Sequence, residues 1–186
     1  IGGVGLIKDY KKMITMDLKK VDNIVLVIGK TEGHIDQSLF ARNILDEKNG
    51  PPPEVNLFNE KNNGETLLKL IENDLVKSAH DVSLGGIITA ISKMCIRGNK
   101  GIKLKKPKYL INDVEYLFAE DQGRYIIEIT KKDHKRVTDL LNKNAVHFDE
   151  LGVIIDDKIH INDKTKVTVD ELKTSSTSWL KKYMDK

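Results

Sequence analysis

The chain has one cysteine in 186 residues, Cys95, and that excludes an internal disulfide. A chain of this length buries enough core to hold together without cross-links or a structural metal. A single thiol inside an apolar run reads as core packing, and the expected setting is the reducing cytoplasm. No window approaches the ~20 consecutive apolar residues of a membrane-spanning helix, so no membrane partner is expected. An excess of one charge is also missing, since 31 basic and 28 acidic residues leave a net charge of +3. That balance does not supply the concentrated basic face of a nucleic-acid binder. Metal-ligand spacing is lacking as well. His34, His80, His134, His147 and His160 form no His-x-x-x-His pair, and there is no second cysteine. The loop Gly29-Lys30-Thr31-Glu32-Gly33-His34 follows an apolar run but does not have the residue order of a P-loop. No Gly-x-Ser-x-Gly elbow occurs. No catalytic residue and no metal ligand is assigned on these grounds.

With 39% hydrophobic and 32% charged residues, the chain has the composition of an ordinary globular domain. It opens on Ile1 with no basic segment ahead of the glycines, unlike a signal peptide, and the expectation is a fragment or excised domain. Residues 1–20, glycines first and lysines after, read as an interdomain linker, and residues 21–186 as one domain. Within it, apolar runs predict strands over residues 21–28, 74–82, 102–104 and 124–130. Helical spacing predicts helices over 38–46, 56–73, 85–96 and 133–142, with the rigid break Gly50-Pro51-Pro52-Pro53 between the first two. Residues 114–118 are ambiguous. Residues 146–155 and 158–161 predict a hairpin across Asp156-Asp157, and 167–172 lead into a tail carrying Trp179 and Tyr183. Strands alternating with helices give an α/β fold, an α+β sandwich with a mixed sheet and helices packed on it.

Three segments carry polar chemistry. Ala79-His80-Asp81-Val82-Ser83-Leu84-Gly85-Gly86 joins a strand to a helix through a Ser-x-Gly-Gly turn. Backbone amides of Ser83, Gly85 and Gly86 at a helix start suit a phosphate. Equally, Asp81 or Ser83 caps the helix and His80 is a satisfied neighbour. Glu120-Asp121-Gln122-Gly123-Arg124 gathers two acids, an amide and a guanidinium on one turn. It reads either as a site for sugar hydroxyls or an ion, or as a solvated turn with Arg124 paired to a surface acid. The run Lys103-Leu104-Lys105-Lys106-Pro107-Lys108 reads as a solvated edge.

Three segments in order resemble the final domain of the phosphoribosylformylglycinamidine synthase large-subunit family, part of the wider aminoimidazole ribonucleotide synthetase-related superfamily. They are Ile1-Gly2-Gly3-Val4-Gly5-Leu6, Ser78-Ala79-His80-Asp81-Val82-Ser83 with Gly85-Gly86, and Leu117-Phe118-Ala119-Glu120-Asp121-Gln122-Gly123-Arg124-Tyr125. The Gly33-His34 loop, the triple-proline break and Asn63-Gly64 fall between them, so the resemblance covers nearly the whole chain. It implies a purine-biosynthesis ligase in which ATP with magnesium activates the amide of formylglycinamide ribonucleotide and glutamine-derived ammonia displaces the oxygen. It implies as partners the remaining domains of the large subunit and a glutaminase subunit or domain. The catalytic groups and main magnesium carboxylates lie in domains outside this chain, which is therefore expected to be inactive alone. Glu120, Asp121 and Gln122 are positional counterparts of substrate-holding residues, and Ser83, Gly85 and Gly86 of a phosphate-facing turn. The family's turn carries an Asp where this chain has Leu84, which cannot cap or bind metal, and that departure implies a site reduced to scaffold. The alternatives are a non-catalytic interaction module or a domain of another ATP-dependent enzyme of the superfamily.

Overall fold

The computed structural model describes residues 2–7, 9–107, 109, 111–161 and 165–185. Ile1 of the opening motif and Lys108 of the basic run lie outside the described residues. Seven strands, β1 (Ile24–Ile28), β2 (Ser78–Asp81), β3 (Gly101–Leu104), β4 (Tyr125–Ile129), β5 (Phe148–Ile155), β6 (Lys158–His160) and β7 (Lys166–Thr168), form one mixed sheet in the order β2-β4-β1-β5-β3-β6-β7. Among the described residues five α-helices cover it: α1 (Leu57–Glu72), α2 (Gly86–Gly98), α3 (Asp113–Phe118), α4 (His134–Lys143) and α5 (Val169–Met184).

Strand alternation divides the core into two. In β1, Val25 and Val27 face the side built by α2, α3 and α5, while Leu26 and Ile28 face α1 and α4. Ile126 and Ile127 of β4 divide the same way. A central strand buried on both faces needs an unbroken apolar run, and Ile24–Ile28 is one. The expected mixed sheet with helices packed on it is the observed fold. Among the described residues no helix is long and apolar enough to cross a membrane.

Several boundaries differ from expectation. β1 begins at Ile24 because Asp22 takes a left-handed φ of 71°. β2 begins at Ser78, since Leu75 donates its amide back to Leu70 O to close α1 and leaves its side chain in the core unpaired to the sheet. The helix expected at 38–46 is a single wide turn, Ala41–Leu45, stopped by left-handed Asp46. Ser38 stands at its start as expected, accepting from the Ala41 amide through Oγ at 3.1 Å. The ambiguous 114–118 segment is helix α3, capped by Asn112, which accepts from Glu115 N at 2.8 Å.

Two readings are overturned. β5 and β6 are not a hairpin, because β3 lies between them, antiparallel to β5 and parallel to β6. The Asp156-Asp157 connection instead crosses the start of β3 at Gly101, whose missing side chain makes room for it. A Cβ there would lie 2.0 Å from Lys158 O. The expected tail is strand β7 followed by helix α5. Thr168 and Glu171 cap that helix reciprocally, Glu171 Oε2 accepting from Thr168 N at 2.8 Å and Thr168 Oγ1 accepting from Glu171 N at 3.2 Å.

The end of the expected linker is built into the fold. Leu18 is 1% exposed in the α2-side core, and its amide donates to Met94 O. Fully buried Glu128 on β4 accepts from Lys19 N (2.7 Å), Lys20 N (3.1 Å), Asn23 Nδ2 (2.6 Å) and Ser78 Oγ (3.0 Å). A buried carboxylate with its acceptor sites filled in this way fastens the 18–23 segment across β4.

Candidate functional site

The Ser-x-Gly-Gly turn lies between edge strand β2 and α2, beside the turn that precedes β4. Gly85 and Gly86 take φ of 83° and 68°, the left-handed region that favours glycine. Gly86 packs so closely on the chain before β4 that a Cβ would sit 2.6 Å from Ala119 O. α2 has no acidic residue in its first turn and no side-chain cap of its own, so neither Asp81 nor Ser83 caps it. His80 Nδ1 lies 2.9 Å from Asp81 Oδ1. Burial works against the charge on Asp81, but the hydrogen bond and charge of His80, with smaller hydrogen bonds from the backbone and Ser83, together outweigh it and hold the carboxyl below its ordinary value. His80 Nε2 is buried and has no hydrogen-bond partner among the described residues.

Two of the three amides expected to face a phosphate, those of Gly85 and Gly86, are engaged inside the chain. Gly86 N donates to Ser83 O at 3.0 Å. Gly85 N donates to Glu120 Oε1 at 2.9 Å, and Leu39 N donates to the same oxygen at 2.7 Å. The neighbouring carboxylate does similar work. Asp121 Oδ2 accepts from Glu32 N (3.0 Å) and Gly33 N (3.1 Å), and Oδ1 from His34 N (3.2 Å). Three successive amides on one carboxylate make an anion nest whose anion is supplied by the chain itself.

Arg124 corrects the solvated-turn reading, being 1% exposed rather than at the surface. Its guanidinium donates to Ala119 O (2.7 Å), Asp121 O (3.0 Å) and Thr31 Oγ1 (3.0 Å), with Asp121 Oδ2 at 3.8 Å. Burial lowers the pKa of Arg124 and the Asp121 charge acts the other way. The 119–124 turn therefore clamps the loop after β1 with two carboxylates and one guanidinium. Sequence reasoning named Arg124 without its buried role and assigned no role to Thr31 or to Asn63, whose Nδ2 donates to Gly123 O at 2.9 Å. The one signal for Arg124 was its place immediately ahead of a strand buried on both faces.

Of the three expected substrate-holding residues, only Gln122 is exposed, and its Nε2 donates to Glu120 O at 3.4 Å. It lines a cleft of about 750 Å³ together with Lys30, His34, Pro51, Asn59 and Glu60. Leu84 is 59% exposed, so the aliphatic residue in place of the family's Asp is not explained by core packing. Among the described residues no group of three or more His, Cys, Asp and Glu is placed to hold a metal ion. In this arrangement the Gly85 amide is occupied by the Glu120 carboxylate. The cleft beside Gln122 has a largely polar wall.

Residues 20–164 match the family model described as AIR synthase related protein, C-terminal domain. The chain is 70% identical over 185 residues to the phosphoribosylformylglycinamidine synthase subunit PurL of Pelagibacter ubique, which covers 100% of this chain and 25% of that protein. It thus spans about a quarter of the length of the curated relatives it matches. Among solved structures it is similar to Thermotoga maritima PurL complexed with FGAR, with a TM-score of 0.74 and 18% identity over 88% of this chain and 30% of that one. T. maritima PurL complexed with ATP matches at a TM-score of 0.66 and 18% identity, covering 88% of this chain and 27% of the other. At such identities these structures establish the shared fold.

Proposed function

Since the chain belongs to the AIR synthase related protein family, as its C-terminal domain, we propose that it is the last domain of a phosphoribosylformylglycinamidine synthase large subunit. The observation that carries this is the 70% identity to PurL over 185 residues of the chain. In this reading the parent enzyme converts formylglycinamide ribonucleotide, glutamine and ATP to the amidine in the cytoplasm. The remaining large-subunit domains and a glutaminase are its partners. ATP with magnesium supplies activation of the amide oxygen when bound elsewhere in the parent.

This chain's own part is to close one wall of a nucleotide or substrate cleft. Gln122 is the residue proposed to meet the ligand, because its amide is free to donate and accept from the cleft wall. Glu120 and Asp121 hold the loops that shape that wall. Ser83, Gly85 and Gly86 set the turn that brings α2 against the 119–124 segment. A domain that lacks the reacting groups has no turnover. The isolated chain, given formylglycinamide ribonucleotide, ammonia and ATP with magnesium, is expected to form no ADP. ADP release by the pure chain overturns the reading. In the assembled parent, Gln122→Ala is expected to raise KM severalfold with kcat little changed, since it removes ground-state binding.

A second reading, a purely structural module, draws on the internally filled Gly85 amide and exposed Leu84. An unchanged KM in the parent carrying Gln122→Ala decides for it.

A further inference from the structure

α2 starts without the features that normally stabilise a helix N-terminus. It has no capping side chain, no acid in its first turn, and a left-handed glycine at the cap position. Four orphan amides and the positive end of the helix dipole would ordinarily call for an anion there. The wide turn at Ala41–Leu45 also carries no acid in its first turn, and the Leu39 amide ahead of it has the same need. One oxygen meets both: Glu120 Oε1 lies 2.7 Å from Leu39 N and 2.9 Å from Gly85 N. Glu120 is itself fixed, its amide donating to His34 O at 3.1 Å and its neighbour Asp121 bonded to three amides of the 32–34 loop. Gly86 cannot drift from this arrangement, because it lies against Ala119 O and Leu117 O.

We propose that Glu120 is a built-in anion for the α2 turn, a positioning residue that fills the seat a free phosphate would take and ties the 34–41 segment to the start of α2. The bond spans elements far apart in sequence, 35 residues to Gly85 and 81 to Leu39. A carboxylate tethered in this way has the advantage over a free anion of a high effective concentration. Its amide bonds are charge-assisted, so the charge on the carboxylate matters as well as its shape. The seat is therefore closed in the native chain and opens when the side chain is cut back.

The test uses the 186-residue chain with Glu120→Ala and Glu120→Gln. Inorganic phosphate and formate are titrated while the amide resonances of Leu39 and Gly85 are followed. In the native chain neither anion is expected to shift them saturably. In Glu120→Ala, formate is expected to bind at both amides. Tm is expected to fall by roughly 4–8 °C and to recover in part with formate but not with chloride at equal ionic strength. Glu120→Gln keeps the shape without the charge. It is expected to fold, to resist formate rescue, and to speed hydrogen exchange at Leu39 and Gly85 roughly tenfold. Saturable phosphate shifts at Gly85 in the native chain overturn the proposal. So does an unchanged Tm in Glu120→Ala. If Glu120→Ala fails to fold, exchange in Glu120→Gln decides, and unaltered protection at both amides refutes the assignment.

Discussion

Arg124 shows how much a single side chain holds together. Its fork reaches Ala119 O, Asp121 O and Thr31 Oγ1, three acceptors on separate parts of the clamp, in a site closed to water. Lysine carries the same charge on one compact ammonium and cannot reproduce a planar fork. Arg124→Lys is expected to cost about 2–4 kcal/mol, and Arg124→Ala about 3–5 kcal/mol, because buried acceptors lose their donors and, in the alanine variant, the Asp121 carboxylate loses the cation beside it. Urea denaturation of the two variants beside the native chain measures both. A loss under about 1 kcal/mol for Arg124→Ala would mean that water replaces the guanidinium, which the burial argues against. The residue types of this turn were legible in sequence, but their roles were not. Glu-Asp-Gln-Gly-Arg reads identically whether its charges face solvent or the backbone amides of a loop 80 or more residues away, the separations being 89 for Glu32 and 81 for Leu39. Local pattern carries no information about such pairings.

At the level of elements, periodicity placed β1, β4, α1, α2 and α4 to within a few residues, because each buries one regular face or run. It failed where a non-local neighbour decides. Phe148–Ile155 and Lys158–His160 have strand-turn-strand spacing, and only the insertion of β3 prevents their pairing. Gly101 is the device that permits this. The connection passes over it so closely that a Cβ would meet Lys158 O at 2.0 Å and Lys158 N at 2.4 Å, both backbone atoms with no rotamer to change. Gly101→Ala is thus expected to destabilise by about 3 kcal/mol through overpacking. Gly2→Ala, with nothing within 4 Å of its Cβ, serves as the neutral control. Equal midpoints for the two variants in chemical denaturation would show that the 156–158 crossing yields easily. Helix α5 was missed for a different reason. The Thr168-x-x-Glu171 cap was present in the sequence, but the polar run after it lacks a continuous apolar stripe, and among its described residues only Val169 and Leu172 reach the core.

At the scale of the whole molecule, the sheet separates two apolar cores, and titratable groups buried in the α2-side core tie stability to pH. Cys95 on α2 is pushed by burial from 9.0 up to about 12. Burial, then the Asp149 charge, raises Tyr109 from 10.0 to about 12, and the same two causes with Tyr109 beside it raise Tyr116 further still. All three shifts favour the neutral form in the folded state. Below pH 9 both states hold these protons and the contribution to stability is complete. As pH rises past the unfolded values of 9.0 for the thiol and 10.0 for the phenols, the unfolded chain ionises first. Stability then falls with each further unit until the folded groups titrate in turn. Tm measured between about pH 8 and pH 11 is therefore expected to hold level and then drop steeply from about pH 9 upward. Tyrosinate absorbance in that range should appear together with unfolding rather than ahead of it for the most buried ring. Tyr116→Phe removes one proton difference and should flatten the alkaline limb, even where losing the hydroxyl changes Tm near neutrality. An alkaline limb as steep in Tyr116→Phe as in the native chain would place that hydroxyl in contact with solvent, against its burial on the core side of α3 beside Tyr109.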